Sequence, residues 1–230
     1  MSKGRNSLGQ WTYAEDGGEN YPVKVGQTWR VGRHLYVCSD LMADDSLFHA
    51  AVRSAEQPPT LVYVDPPWNN SNVNAFRTKA QLERADHSYL DLYRALAGVA
   101  RTYGVPLWME GGRREAVNVA GVLPYTHQAM FGITYYRKFP AVLHYSGSSP
   151  CPVPEGELEG QDDDHTPRIV MQHYPTGLVL DPCAGRGLTA ATAERLGWAS
   201  VTNEMSPWRT SAALTKTAAL TGLTPQRVLS

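Results

Sequence analysis

Two short stretches of this chain place reactive residue types beside residues that restrict the backbone. The first is Asp65-Pro66-Pro67-Trp68, which follows the apolar run Thr60–Val64. Two consecutive prolines fix the chain there, so the Asp65 carboxylate and the Pro66 carbonyl become a rigid pair of hydrogen-bond acceptors. That pair suits a conjugated exocyclic amine, whose lone pair is otherwise drawn into its ring. Bonding both amine hydrogens favours a pyramidal nitrogen and stabilises the positive charge that develops as the nitrogen attacks. Trp68, thrust out at the sheet edge, offers a flat face to a base taken out of its stack. A carboxylate near its reference pKa of about 4 is a weak base, so stabilisation by hydrogen bonds is the role read for Asp65. A proline-rich strand exit with a surface tryptophan would look the same in sequence.

The second stretch runs LVLDPCAGRGLTAATAERLGWASVTNE, from Leu178 to Glu204. A buried strand ends at Asp181, and Gly185 and Gly187 turn the chain into a helix whose free N–H groups suit an anionic group. Glu204, at the end of the next strand, is placed to accept hydrogen bonds from ribose hydroxyls. The segment Gly185-Arg186-Gly187-Leu188-Thr189-Ala190 also fits the dinucleotide pattern G-x-G-x-x-A, which leaves a nicotinamide-dependent oxidoreductase open, as well as a turn with no ligand. Asp181 argues for a different ligand. An acid at the strand tip would crowd a pyrophosphate but suits an ammonium group, and S-adenosylmethionine carries an ammonium, a carboxylate, a ribose diol and an adenine.

Positioning both stretches requires strands that end where the motifs begin. Continuous apolar runs at His34–Ser39, Thr60–Val64, Val105–Met109, Gly177–Leu180 and Ala199–Thr202 read as buried parallel strands. Helical patterns fall near Asp45–Glu56, Ser88–Tyr103, Arg113–Leu123, Thr166–Tyr174, Leu188–Leu196, and from Ser206 with Pro207 to about Gly222. The clearest is Ser88–Tyr103, with one apolar stripe, a capping box from Ser88 and Asp91, and Gly104 as its stop. Gln128–Arg137 and Ala141–Tyr145 read as a strand pair turning at Phe139-Pro140. Strands alternating with helices give an α/β fold, a mostly parallel sheet covered on both faces, with ligands at the carboxyl ends of the strands.

Composition sets the outer bounds. With 230 residues, 42% hydrophobic and 19% charged, the chain buries a core and reads as one domain. No apolar run spans a membrane, and Met1–Asn20 is too polar for a secretory signal. Three scattered cysteines, Cys38, Cys151 and Cys183, form neither a disulfide frame nor a metal cage, which points to a reducing, cytoplasmic setting. Residues 1–25 read as a loose arm, residues 26–230 as the domain, and 146–166 as a long, mobile acidic loop. The net charge is −1, but without the six acids between Glu155 and Asp164 the remainder is mildly basic at +5. That balance is compatible with a phosphate backbone without requiring one.

The two motifs together resemble the signatures of the S-adenosylmethionine-dependent DNA amino-methyltransferases of the N6-adenine/N4-cytosine type. Asp65-Pro66-Pro67-Trp68 matches their catalytic tetrapeptide, and Asp181-Pro182-Cys183-Ala184-Gly185-Arg186-Gly187 their cofactor motif, with Cys183 for Phe and Leu188 before Thr189. The catalytic motif comes first, which resembles the permuted β-class order. The resemblance implies a Rossmann-like methyltransferase fold, circularly permuted, with a mostly parallel seven-stranded sheet. It implies an enzyme that methylates the exocyclic amine of a flipped adenine in DNA, a first-position Asp favouring adenine over cytosine. It assigns Asp65, Pro66, Pro67 and Trp68 to catalysis, and Asp181, Pro182, Cys183, Gly185, Gly187, Thr189, Glu204 and Asp40 to the cofactor, Asp40 near its adenine. Thr166-Pro167-Arg168 stands where the family often has Lys-Pro. The chain is short for that family, so its DNA contacts fall to Arg77, Lys79, Arg84, Arg113 and Arg114, with Arg137-Lys138 as further candidates. A homodimer or helper chain would supply the missing recognition region, in a bacterial or phage-encoded protein. N4-cytosine or RNA adenine methylation with the same chemistry, and a silent DNA-binding relative, are the other readings carried forward.

Overall fold

The structure is a computed structural model and describes residues 20–228. Most of the expected loose arm lies outside the described residues. Its last part is packed, with Val23 buried and the Tyr21 N–H donating to Ser211 Oγ at 3.0 Å.

Among the described residues nine strands form one mixed sheet, in the order β5-β6-β4-β3-β7-β8-β2-β1-β9. They are β1 (Gln27–Val31), β2 (His34–Cys38), β3 (Pro59–Val64), β4 (Leu107–Gly112), β5 (His127–Tyr135), β6 (Phe139–Gly147), β7 (Leu178–Asp181), β8 (Ala199–Asn203) and β9 (Gln226–Val228). The five central strands, β4, β3, β7, β8 and β2, run parallel. β6 and β5 extend one side as an antiparallel hairpin, and β1 and β9 extend the other. The expected seven-stranded sheet is therefore corrected to nine strands of mixed direction. β1 and β9 escaped notice because they are short and carry polar residues between their apolar ones.

The central strands are apolar throughout because both faces are covered. On one face α1 (Ser46–Arg53), α3 (Tyr89–Tyr103) and α4 (Ala116–Ala120) cover Val62, Val64, Leu107 and Met109 with Phe48, Leu96 and Val119. On the other, α6 (Thr166–Gln172) and α7 (Leu188–Arg195) lay Val170, Met171 and Ala193 over Leu61, Tyr63 and Trp108. There α8 (Pro207–Thr221) packs Ala213 and Leu214 over Val31 and Tyr36. The capping box of Ser88 and Asp91 and the left-handed Gly104 close α3 as its sequence requires.

Stretch 146–166 differs from the exposed acidic loop expected of it. It contains the short α5 (Glu155–Leu158), buries Val153 and Leu158, and runs alongside β5. The Thr134 N–H donates to the Gln161 carbonyl, and the Asp163 N–H to the Thr134 carbonyl, both at 2.8 Å. Three of the acids, Glu159, Asp162 and Asp163, face the strand and its turn because backbone N–H groups there need acceptors: Glu159 receives the Gly132 N–H at 3.0 Å.

Candidate active site

β3 and β7 are neighbouring parallel strands, in register at Leu61↔Val179 and Val62↔Leu180. β3 continues to β4 on one side and β7 to β8 on the other, so the order reverses between them and a crevice opens at their carboxyl ends. Asp65 leaves β3 into that crevice and Asp181 ends β7 beside it. The two carboxylates are close enough for the charge of Asp65 to raise the Asp181 carboxyl. Glu204 ends β8, Asp40 follows β2, and Gly112 ends β4 on the same rim.

In the glycine turn, Gly185 and Gly187 have φ of +52° and +75°, which side-chain-bearing residues rarely adopt. Gly187 also lets α7 approach α8, since a Cβ there would lie 2.7 Å from the Ala213 Cβ. A Cβ at Gly185 would meet nothing within 4 Å, so open space lies over that part of the turn. Asp181 is buried, accepts the Cys183 N–H at 3.1 Å and is bonded by the Thr189 hydroxyl. Burial pushes its carboxyl up to about 7. Glu204, also buried, accepts the Ser206 N–H at 2.8 Å; burial raises its carboxyl and the nearby Arg209 opposes the rise. Asp181, Glu204 and the N–H groups opening α7 thus provide acceptors for an ammonium and a diol and donors for a carboxylate.

In the proline turn, Pro66 and Pro67 are buried and Asp65 is reached by solvent at the mouth of the crevice. The protein packed around Asp65 raises its carboxyl above the usual range, an effect that solvent contact tempers. The Trp68 N–H donates to Asp65 Oδ1 at 3.0 Å, which fixes the carboxylate and the indole together. Trp68 is not thrust outward. It is half-buried, with Gly112 against its ring and Tyr135 edge-on at 4.8 Å. A Cβ at Gly112 would stand 3.3 Å from the indole, so the missing side chain makes room for it.

Several neighbours carried no local signal in the sequence. Glu110, buried at the end of β4, accepts the Tyr63 hydroxyl at 2.6 Å and the Thr166 hydroxyl at 3.3 Å, while its Oε2 has no partner among the described residues. Burial, and then the charge of Asp65, hold the Glu110 carboxyl well above its usual range. Asp163, likewise buried, is pushed up to about 6. From α3 the hydroxyl of Tyr93, buried and without a partner among the described residues, lies near Asp65 and Cys183. Replacing Glu110 by Ala is expected to take an acceptor from the Tyr63 and Thr166 hydroxyls, leaving them each other and the Asp163 carbonyl, and to cost roughly 1–3 kcal/mol, whereas Glu110→Gln, which keeps an acceptor, holds close to wild-type stability. Denaturant titration of both variants checks this.

The remaining expected contacts divide. Arg77 is not free for phosphate: its guanidinium pairs with Asp40 at 2.5 Å, and its Nε donates to the Glu83 carbonyl at 2.7 Å. Asp40 is thereby engaged by Arg77 and by the Met42 N–H. Lys79, Arg84, Arg113 and Arg114 are exposed, the last two in the turn that directly follows β4. Thr166 lies beneath Glu110, whereas Arg168 is exposed in a groove with Asp164, His165 and Arg195. The helix α2 (Asn70–Lys79), absent from the sequence reading, starts just after Trp68, and the Arg209 guanidinium sits 4.3 Å from the centre of its Phe76 ring. Bonded to Asp40 through Arg77, α2 spans from the end of β3 to the end of β2, across the ends of β7 and β8.

This architecture is a methyltransferase-like α/β fold, and solved structures share it. M1.HpyAVI matches with a TM-score of 0.55 at 14% identity, covering 79% of this chain and 97% of that one. TTHA0409, a putative DNA modification methylase of Thermus thermophilus complexed with S-adenosyl-L-methionine, matches with a TM-score of 0.52 at 15% identity, covering 83% and 95%. PvuII DNA methyltransferase (cytosine-N4-specific) matches with a TM-score of 0.55 at 12% identity, covering 84% and 90%. No protein-family model matches the chain. No curated protein sequence matches it either.

Proposed function

We propose that this protein is a DNA N6-adenine methyltransferase that uses S-adenosylmethionine. The observation that carries the reading is the register of β3 and β7, which sets the Asp65 turn beside the Asp181 turn at one crevice. S-adenosylmethionine, when bound, supplies an electrophilic methyl group. Asp181, the N–H groups opening α7 and Glu204 bind its ammonium, carboxylate and ribose, with Pro182, Cys183, Gly185, Gly187 and Thr189 shaping the turn that holds it. Asp65 accepts a hydrogen bond from the exocyclic amine and, with the Pro66 carbonyl, orients it and stabilises positive charge on nitrogen. Its raised carboxyl also makes Asp65 a better acceptor for the proton that nitrogen sheds than an ordinary surface aspartate. Trp68 and Tyr135 wall the place where a base flipped from the duplex would sit. The chain order, with the Asp65 turn before the Asp181 turn, supports a circularly permuted methyltransferase.

The matching folds include a cytosine-N4 enzyme, so the test must separate the bases. The protein is incubated with isotope-labelled S-adenosylmethionine and either genomic DNA or total RNA, and the digested nucleosides are resolved by mass spectrometry. Labelled N6-methyladenine from DNA is expected. Label in N4-methylcytosine, or in RNA alone, overturns the substrate; label in neither polymer overturns the enzyme reading.

A further inference from the structure

The hairpin of β5 and β6 ends at the same rim as Asp65, because β6 is antiparallel to β4 and pairs Ala141 with Gly112. Its tip is built at a cost. Tyr136 and Arg137 have φ of +53° and +54°, and the Lys138 N–H closes the turn on the Tyr135 carbonyl at 3.2 Å. Tight left-handed turns of this kind ordinarily use Asn-Gly or Gly-Gly. Here two large side chains occupy them, and a distant segment holds them in place. The Tyr136 N–H donates to Asp163 at 3.1 Å, and the Arg137 N–H to Asp162 at 2.6 Å. Strain over-determined by remote contacts is characteristic of functional elements.

What the strained turn displays is an aromatic and cationic tip. Tyr136 is 44% exposed and Phe139 57% exposed, the Arg137 side chain is 80% exposed, and Lys138 is also exposed. The Tyr136 ring lies 4.3 Å from Tyr135, which itself touches Trp68, so an aromatic row leads from the Asp65 turn to the tip. Asp162 and Asp163, which would repel a phosphate backbone if displayed, have their carboxylates turned under the turn and bonded to it.

Resting on the function proposed above, we propose that residues Tyr136–Phe139 are the element that enters double-stranded DNA beside the target base. Arg137 and Lys138 meet backbone phosphates, and Tyr136 and Phe139 replace the stacking lost when the base leaves the helix. Arg113 and Arg114, on the same rim, continue the cationic surface.

The experiment compares methyl incorporation from labelled S-adenosylmethionine into double-stranded and heat-denatured plasmid DNA. The Tyr136→Ala/Phe139→Ala variant is expected to lose activity at least about tenfold on duplex DNA and to stay within about twofold of wild type on denatured DNA, whose bases are already unpaired and cost least to extrude. Its S-adenosylmethionine affinity and melting temperature report an intact fold. Equal loss on both substrates, or loss on neither, overturns the proposal. In Arg137→Ala/Lys138→Ala, the slope of log affinity for duplex DNA against log salt falls by about 2, and an unchanged slope overturns the phosphate contacts. If the wild-type protein methylates neither form of DNA, the function itself fails and this assignment goes with it.

Discussion

Asp65→Ala is expected to abolish the proposed methyl transfer, by on the order of 10²–10³-fold or more, and to leave S-adenosylmethionine affinity near wild type. The size follows from the loss of one preorganised acceptor aimed at a developing charge, about 3–4 kcal/mol in comparable sites. The cofactor affinity survives because Asp65 belongs to the β3 turn, whereas the groups assigned to that ligand end β7 and β8. Two companions separate the roles of the carboxylate. Asp65→Asn keeps an oxygen for Trp68 and the amine but loses the charge, and retains more activity than the alanine variant. Trp68→Phe keeps an aromatic face and removes the N–H that fixes Asp65 at 3.0 Å, so it costs about tenfold through loosened geometry. Single-turnover methylation with direct ligand titration measures all three. Weakened S-adenosylmethionine binding in Asp65→Ala, equal to its loss of activity, would sink the division of labour.

The second large effect is a trade of stability against binding at Asp181. Its carboxyl is pushed up to about 7 in the fold, far above its unfolded value. The folded state therefore holds that proton more tightly. The stabilisation this gives is complete below the unfolded pKa near 4, shrinks as pH rises, and is gone once pH passes about 7. At pH 8 the ligand-free protein carries a buried anion that an ammonium group would neutralise. Asp181→Asn removes that charge and keeps an acceptor for the Cys183 N–H, so the variant should unfold later than wild type at pH 8. The gain is on the order of 1–4 kcal/mol and vanishes toward pH 4. The same change would remove the proposed partner of the ligand's ammonium and is expected to weaken S-adenosylmethionine binding by about 10²-fold or more. Thermal melts across pH, with and without S-adenosylmethionine, show both halves. A variant that melts below wild type at pH 8, or binds the ligand normally, contradicts the assignment.

The parts of the fold written in apolar runs were legible: β2, β3, β7 and β8, and α3 with its caps, follow from local pattern. So did the two turns, because their prolines and glycines act on the residues next to them. What the sequence hid is held by partners far along the chain. α2 buries only Val73, so it shows no apolar stripe; its place is set by Arg77 on Asp40 and Phe76 under Arg209. The turn of the hairpin falls at Tyr136–Lys138 rather than at Phe139-Pro140, because Asp162 and Asp163 stabilise a conformation that Tyr and Arg avoid on their own. The same two acids show why the acid run misled: carboxylates that look solvated in sequence are acceptors for a strand edge. Glu110 sat in a glycine-flanked strand end, and nothing near it in the chain signalled the hydroxyls of Tyr63 and Thr166.

The strand order has a consequence for how the protein is made. β7 and β8 lie between β3 and β2, although they follow both by a long stretch of chain. During synthesis the apolar edges of β2 and β3 must wait, unpaired, until residues 178–203 leave the ribosome and slot between them. The crevice cannot exist in any nascent fragment, and the growing chain depends on that late insertion to cover its stickiest strands.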